Sequence, residues 1–120
     1  MLNFHTLGLC EGRHNLPVDG YIFPSTLNPV DIEGMEKMAV ERLKELFPNV
    51  HTAYWGYPNR LKKDDIWVQF RGRLDLYVTG LTAALIAVIN ACLKLGIVVM
   101  LWHYDKATGE YYSQPVKFHD

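Results

Sequence analysis

Leu74-Asp75-Leu76-Tyr77-Val78, then Thr79-Gly80-Leu81-Thr82, then an apolar segment over 83–95 closed by Gly96, then Ile97-Val98-Val99-Met100-Leu101-Trp102: the fold is decided in this stretch. Residues 74–78 read as a strand that runs into a short turn. Residues 83–95 read as a helix with almost no polar residue before Lys94, and Gly96 suits the residue just past a helix end. The continuous apolar run at 97–102 is what a strand covered on both faces looks like. Strand, helix and buried strand make a βαβ unit, and such crossovers are right-handed in nearly all cases.

Working outward, residues 104–110 read as a hairpin loop and 111–118 as a closing strand. Upstream, residues 2–9 alternate as a strand and end in the turn-rich Cys10-Glu11-Gly12-Arg13-His14-Asn15. A short strand follows at Tyr21-Ile22-Phe23, stopped by Pro24. A helix is then predicted with Asn28 as N-cap, Pro29 in its first position, and Asp31 and Glu33 near its positive end. Ile32, Met35, Ala39, Leu43 and Leu46 form its apolar face, and Pro48-Asn49 ends it. Further strands are predicted at 50–55 and 66–70, with Arg71-Gly72-Arg73 as a turn or a glycine bulge. The fold class is therefore α/β: a single mixed sheet with two main helices, a C-terminal βαβ unit and a hairpin after it.

A chain of 120 residues suits one domain, and 49% hydrophobic residues can build a core. A net charge of −1 argues against a duplex-DNA binder but leaves room for a small anion held by local charges. Cys10 and Cys92 stand far apart with no Cys-x-x-Cys pairing, which points to a reducing, cytoplasmic setting. The N-terminal residues lack the pattern of a signal peptide, and the apolar stretch 83–101 is split by Gly96, so no membrane span is expected. The helix at 83–95 is apolar on all sides. Cover beyond the sheet is expected from a second subunit, most simply in a homodimer, or else from the first helix.

The turn Thr79-Gly80-Leu81-Thr82 is the first candidate site. A strand-to-helix turn offers free backbone N–H groups and the positive end of a helix, which together bind phosphate or carboxylate. Gly80 lets a ligand approach the backbone, and Thr79 and Thr82 add hydroxyls; in the plainer reading Thr82 is only an N-cap. If the strand at 2–9 lies parallel to that at 74–78, the loop carrying Arg13 and His14 opens on the same sheet edge. Arg13 then pairs with phosphate and His14 donates a hydrogen bond or serves as acid or base. Tyr104 and Trp55, at strand ends, offer rings on which a base can stack. Arg71, Arg73 and Lys106 are further cations near strand ends. The histidines have no metal-ligand spacing and no Gly-x-Ser-x-Gly elbow occurs, so neither a metal nor any other cofactor is expected.

At Val78-Thr79-Gly80-Leu81-Thr82 and the helix and strand after it, over residues 74–105, the chain resembles the ligand-sensing half of CARF-type domains. The resemblance implies a Thr- and Gly-containing turn at a helix start set against a cyclic oligonucleotide, in a dimer with the site across its two-fold axis. Complete CARF domains are longer and more regularly wound. The compact two-helix, sheet-rich layout is also similar to the small phage Thoeris anti-defence sponge proteins, which capture cyclic nucleotide signals without cleaving them; for a phage protein the setting is the host cytoplasm. No binding residue carries over from them position by position. Three functions are thus expected in order: capture of a small nucleotide-derived ligand without catalysis, a small metal-independent ring nuclease with His14 as acid or base, or an accessory subunit that docks on another protein.

Overall fold

The computed structural model describes residues 3–12, 16–48 and 72–117. The predicted strands at 50–55 and 66–70 lie outside these residues. In chain order the elements are β1 (Asn3–Cys10), β2 (Gly20–Phe23), α1 (Ile32–Leu46), β3 (Gly72–Tyr77), α2 (Thr82–Leu95), β4 (Ile97–Asp105) and β5 (Glu110–Pro115). They build an α/β fold on one five-stranded sheet in the order β2-β1-β3-β4-β5. The pairs β1/β2, β1/β3 and β3/β4 are parallel, and β4/β5 is antiparallel. Gly72 and Arg73 lie inside β3, so the interruption predicted there is absent at both residues.

Both helical crossovers, β2–α1–β3 and β3–α2–β4, step across the sheet in the same direction. One handedness therefore puts α1 and α2 on one face, and burial follows. In β3, Leu74 and Leu76 are buried while Arg73, Asp75 and Tyr77 are half-buried. In β4, Ile97, Val99 and Leu101 are buried while Val98, Met100 and Trp102 are half-buried. The expectation that β4 is covered on both faces is thus corrected: its apolar run is continuous, yet only the helix side is fully enclosed. Register sets Leu7, Leu76 and Leu101 in one row across the sheet. Those rows meet Met35, Ala39 and Leu43 of α1 and Ala84, Ala87, Val88, Ala91, Cys92 and Leu95 of α2 in a single core. Each large side chain so enclosed contributes about 1.5–3 kcal/mol.

The helix α2 lies against α1. Half of its buried positions are alanines, which allow close approach, and Lys94 closes the contact with Glu36 at 3.0 Å. That cover comes from within the chain, so the burial of α2 gives no reason of its own for a second subunit. Gly96 ends α2 in the left-handed region at φ 72°, and its N–H reaches the carbonyls of Cys92 and Leu93. Both cysteines are buried free thiols, and burial pushes the Cys92 thiol up. Among the described residues, no helix is long and apolar enough to cross a membrane.

The start of α1 differs from expectation. Asp31, not Asn28, is the N-cap: its Oδ1 accepts the Gly34 N–H at 3.0 Å, while Asn28 accepts the Val30 N–H at 3.3 Å in the turn before. Ile32, at the first helical position, is exposed rather than part of the apolar face. A side-chain oxygen on a free helix amide typically stabilises by about 1 kcal/mol. Asp31→Ala should therefore lower the unfolding free energy by about that much, read as a lower urea midpoint at unchanged slope. Asn28→Ala should have a smaller effect.

Candidate functional site

Parallel pairing of β1, β3 and β4 sends the C-terminal ends of all three strands to one edge of the sheet. The condition placed on the first loop is thus met: the segment after Cys10 opens on the same edge as the turn after Tyr77. Open α/β sheets bind ligands at this edge, where the strand order reverses between β1 and its neighbours. Arg13, His14 and Trp55, which the sequence reading also assigned to the site, lie outside the described residues.

Past Tyr77 the chain makes one more sheet bond, Val78 N–H to the Trp102 carbonyl at 3.0 Å, and then turns. Gly80 and Leu81 both take left-handed backbone, at φ 49° and 44°. For a leucine this geometry is strained by roughly 1–2 kcal/mol. Leu81 itself is the N-cap of α2 and has no side-chain cap hydrogen bond. Thr82 is accordingly not the N-cap: it is the first helical residue, and it is exposed. Thr79 is only 7% exposed, and its Oγ1 has no hydrogen-bond partner among the described residues. A buried hydroxyl left unpaired costs on the order of 1–3 kcal/mol.

The opposite wall comes from the β4–β5 hairpin. β4 outruns β3: the last β3/β4 register pair is Tyr77↔Trp102, and His103, Tyr104 and Asp105 continue beyond it. Asp105 fixes the turn, its Oδ1 accepting the Ala107 N–H at 2.9 Å and its carbonyl the Gly109 N–H at 2.8 Å. Lys106 is held between these two clamps. Tyr111 and Tyr112 return opposite Tyr104 and His103.

Together these walls enclose an open cleft of about 680 Å³, lined by Thr79 and Gly80 on one side, Lys106 at the hairpin end, and the rings of His103, Tyr104, Tyr111 and Tyr112. Leu16 and Val78 complete it. The volume falls within the range of about 300–1,000 Å³ usual for small-molecule sites. Among the described residues no carboxylate lines the cleft, and Lys106 contributes a basic side chain to it. The His103 ring is fixed by a 2.8 Å hydrogen bond between its Nε2 and Gln114 Oε1. Tyr77 backs the tyrosines, edge-on to Tyr111 at 4.9 Å and stacked on Trp102 at 5.9 Å. Burial first, then the nearby Tyr111 and Asp75, push its phenol up and keep it protonated.

Of the residues expected from the sequence, the cleft brings together Thr79, Gly80, Tyr104 and Lys106. Thr82 is not among its lining residues. Arg73 is not a site cation: it sits near the start of β3, at the far end from the cleft, and pairs with Asp75 at 2.9 Å. Asp75 also accepts the Trp102 indole N–H at 3.0 Å. His103, Tyr111, Tyr112 and Leu16 were missed. The hairpin loop at 104–110 carried a signal for them, since a tight turn places Tyr111 and Tyr112 directly opposite Tyr104 and His103.

No model of a known protein family matches the chain, and neither a curated protein nor a solved structure gives a significant match.

A Cβ added at Gly80 meets nothing within 4 Å, so a substitution there probes backbone conformation alone. Gly80→Ala should destabilise the fold by about 1–2 kcal/mol through the positive φ, measured by denaturant unfolding. A change near zero would mean that the turn relaxes at little cost.

Proposed function

We propose that this protein binds a small, phosphate-bearing, nucleotide-derived ligand and holds it without converting it. One arrangement carries the reading: an unpaired buried hydroxyl at Thr79, an open backbone at Gly80 and the Lys106 ammonium share a cleft with exposed tyrosine rings. The first three are the donors and charge that a phosphate uses, and the rings suit a base. A helix start without a side-chain cap adjoins them, which adds free amides and a positive dipole end. Two buried thiols, neither in a disulfide, fit the cytoplasmic setting in which such ligands occur. Within this reading the ligand class extends to cyclic nucleotide signals, and the protein acts as a sponge for them.

Isothermal titration with a panel of mononucleotides, linear dinucleotides and cyclic nucleotides tests the proposal. Lys106→Met should weaken binding roughly tenfold, the value of one charge-assisted hydrogen bond. Thr79→Val keeps the shape and removes the unpaired hydroxyl. It should raise the stability of the free protein by about 1 kcal/mol and yet weaken binding. Absence of heat with every member of the panel would sink the proposal.

A second reading, a metal-independent ring nuclease, has one observation of its own. His103 lines the cleft with its ring oriented by Gln114, which is how an acid or base is held for proton transfer. Chromatography of the ligand after incubation separates the two: intact ligand means capture, linear product means cleavage.

A further inference from the structure

The hairpin that walls the cleft is aromatic on both of its faces, and both faces line the same cleft. Successive residues of a strand point to opposite sides of the sheet. His103 and Tyr104 therefore diverge, and so do Tyr111 and Tyr112. Register pairs Tyr104 with Tyr111 and His103 with Tyr112. The rings agree, with Tyr104 and Tyr111 centred 5.3 Å apart and His103 and Tyr112 centred 5.2 Å apart. One aromatic pair thus stands on each side of the ribbon. Lys106 sits at the tip, where the two sides meet, and lines the same cleft as Thr79 and Gly80.

From this we infer that the ligand carries two flat aromatic groups joined through phosphate: a dinucleotide, linear or cyclic, rather than a mononucleotide. The inference rests on the binding reading above and narrows it. The linking phosphate lies at the ribbon tip against Thr79, Gly80 and Lys106, and one base lies against the ring pair on each side. The outer ring of each pair keeps stacking area free, with Tyr104 52% and Tyr112 54% exposed. Tyr111, by contrast, is half-buried and packs edge-on against Tyr77 at 4.9 Å. Cross-strand ring pairs also stabilise a hairpin by a few tenths of a kcal/mol. Hairpin stability alone does not require rings from both faces to border one cleft that also holds the Lys106 side chain.

The test measures dissociation constants for AMP, linear pApA and cyclic di-AMP on the full chain, and on the Tyr104→Leu, Tyr112→Leu and double variants. At least one dinucleotide should bind ten times or more tighter than AMP. Each single variant leaves one stacked base and should weaken that dinucleotide roughly 5- to 100-fold, toward the AMP value, and the double variant should bring it below the affinity of the wild type for AMP. Tyr112→Phe keeps the ring and should restore affinity, which separates stacking from any effect on folding. Equal affinity for AMP and the dinucleotides overturns the inference, and so does a Tyr112→Leu variant that binds the dinucleotide as tightly as the wild type. In both cases AMP still binds and the broader proposal stands. If AMP, both dinucleotides and inorganic pyrophosphate all fail to bind, the broader proposal falls as well.

Discussion

The parallel ladder from β1 through β3 to β4 is the constraint on which everything else in this protein depends. It is held by apolar rows such as Leu7, Leu76 and Leu101, which sit beneath the two helices. A slip of one residue would turn each row to the other face of the sheet, so burial pins the register. With the register fixed, the strand ends come to a common edge and the lengths of the strands decide what stands there. β3 stops at Tyr77, while β4 continues to Asp105 and returns as β5. The overhang is what makes a wall: a hairpin projecting beyond the sheet faces the strand-to-helix turn across a gap.

The two helices begin in different ways, and the contrast bears on the site. The α1 start is closed by Asp31, which occupies a free amide with its own carboxylate. The α2 start has no side-chain cap, follows two left-handed residues, and stands beside a buried hydroxyl with no partner. Each of those features costs stability on the order of 1 kcal/mol or more. Leu81 is partly buried against the core, and the enclosed face of α2 below it holds the strained turn in place. The α1 start is thus capped, while the α2 start combines a strained turn with an unpaired hydroxyl among the described residues.

The sheet's second face adds a different environment. Because both crossovers run in one direction, α1 and α2 share a side, and the other side carries Arg73, Asp75, Tyr77, Trp102, Tyr104 and Tyr111. There Asp75 ties Arg73 and the Trp102 indole together, and Gly8 leaves room for the Tyr21 ring, which lies 2.6 Å from where a Cβ would stand. The rings behind the cleft are thus anchored to the sheet. This fixes Tyr111 in place while Tyr104 and Tyr112 stay open.

Much of this was legible in the residues. Period-2 alternation located β1, a helical run closed by Gly96 located α2, a continuous apolar run located β4, and the Thr79-Gly80 turn announced itself by type and place. Local chemistry sufficed there because the apolar pattern and the glycines act over a few residues. The start of α1 was misjudged because Asn28 and Asp31 both suit an N-cap, and only the backbone path decides which oxygen meets a free amide. Arg73 passed for a site cation although its place just before the strand read at 74–78 already put it at the N-terminal end, away from the edge where that strand meets the turn. The sequence by itself determined the α/β class, the βαβ unit and the place of the Thr79-Gly80 turn. Only the tertiary structure decided that Lys106 and the tyrosines face that turn, because their meeting depends on strand register and relative strand length. Those are set by the packing of elements remote in the chain.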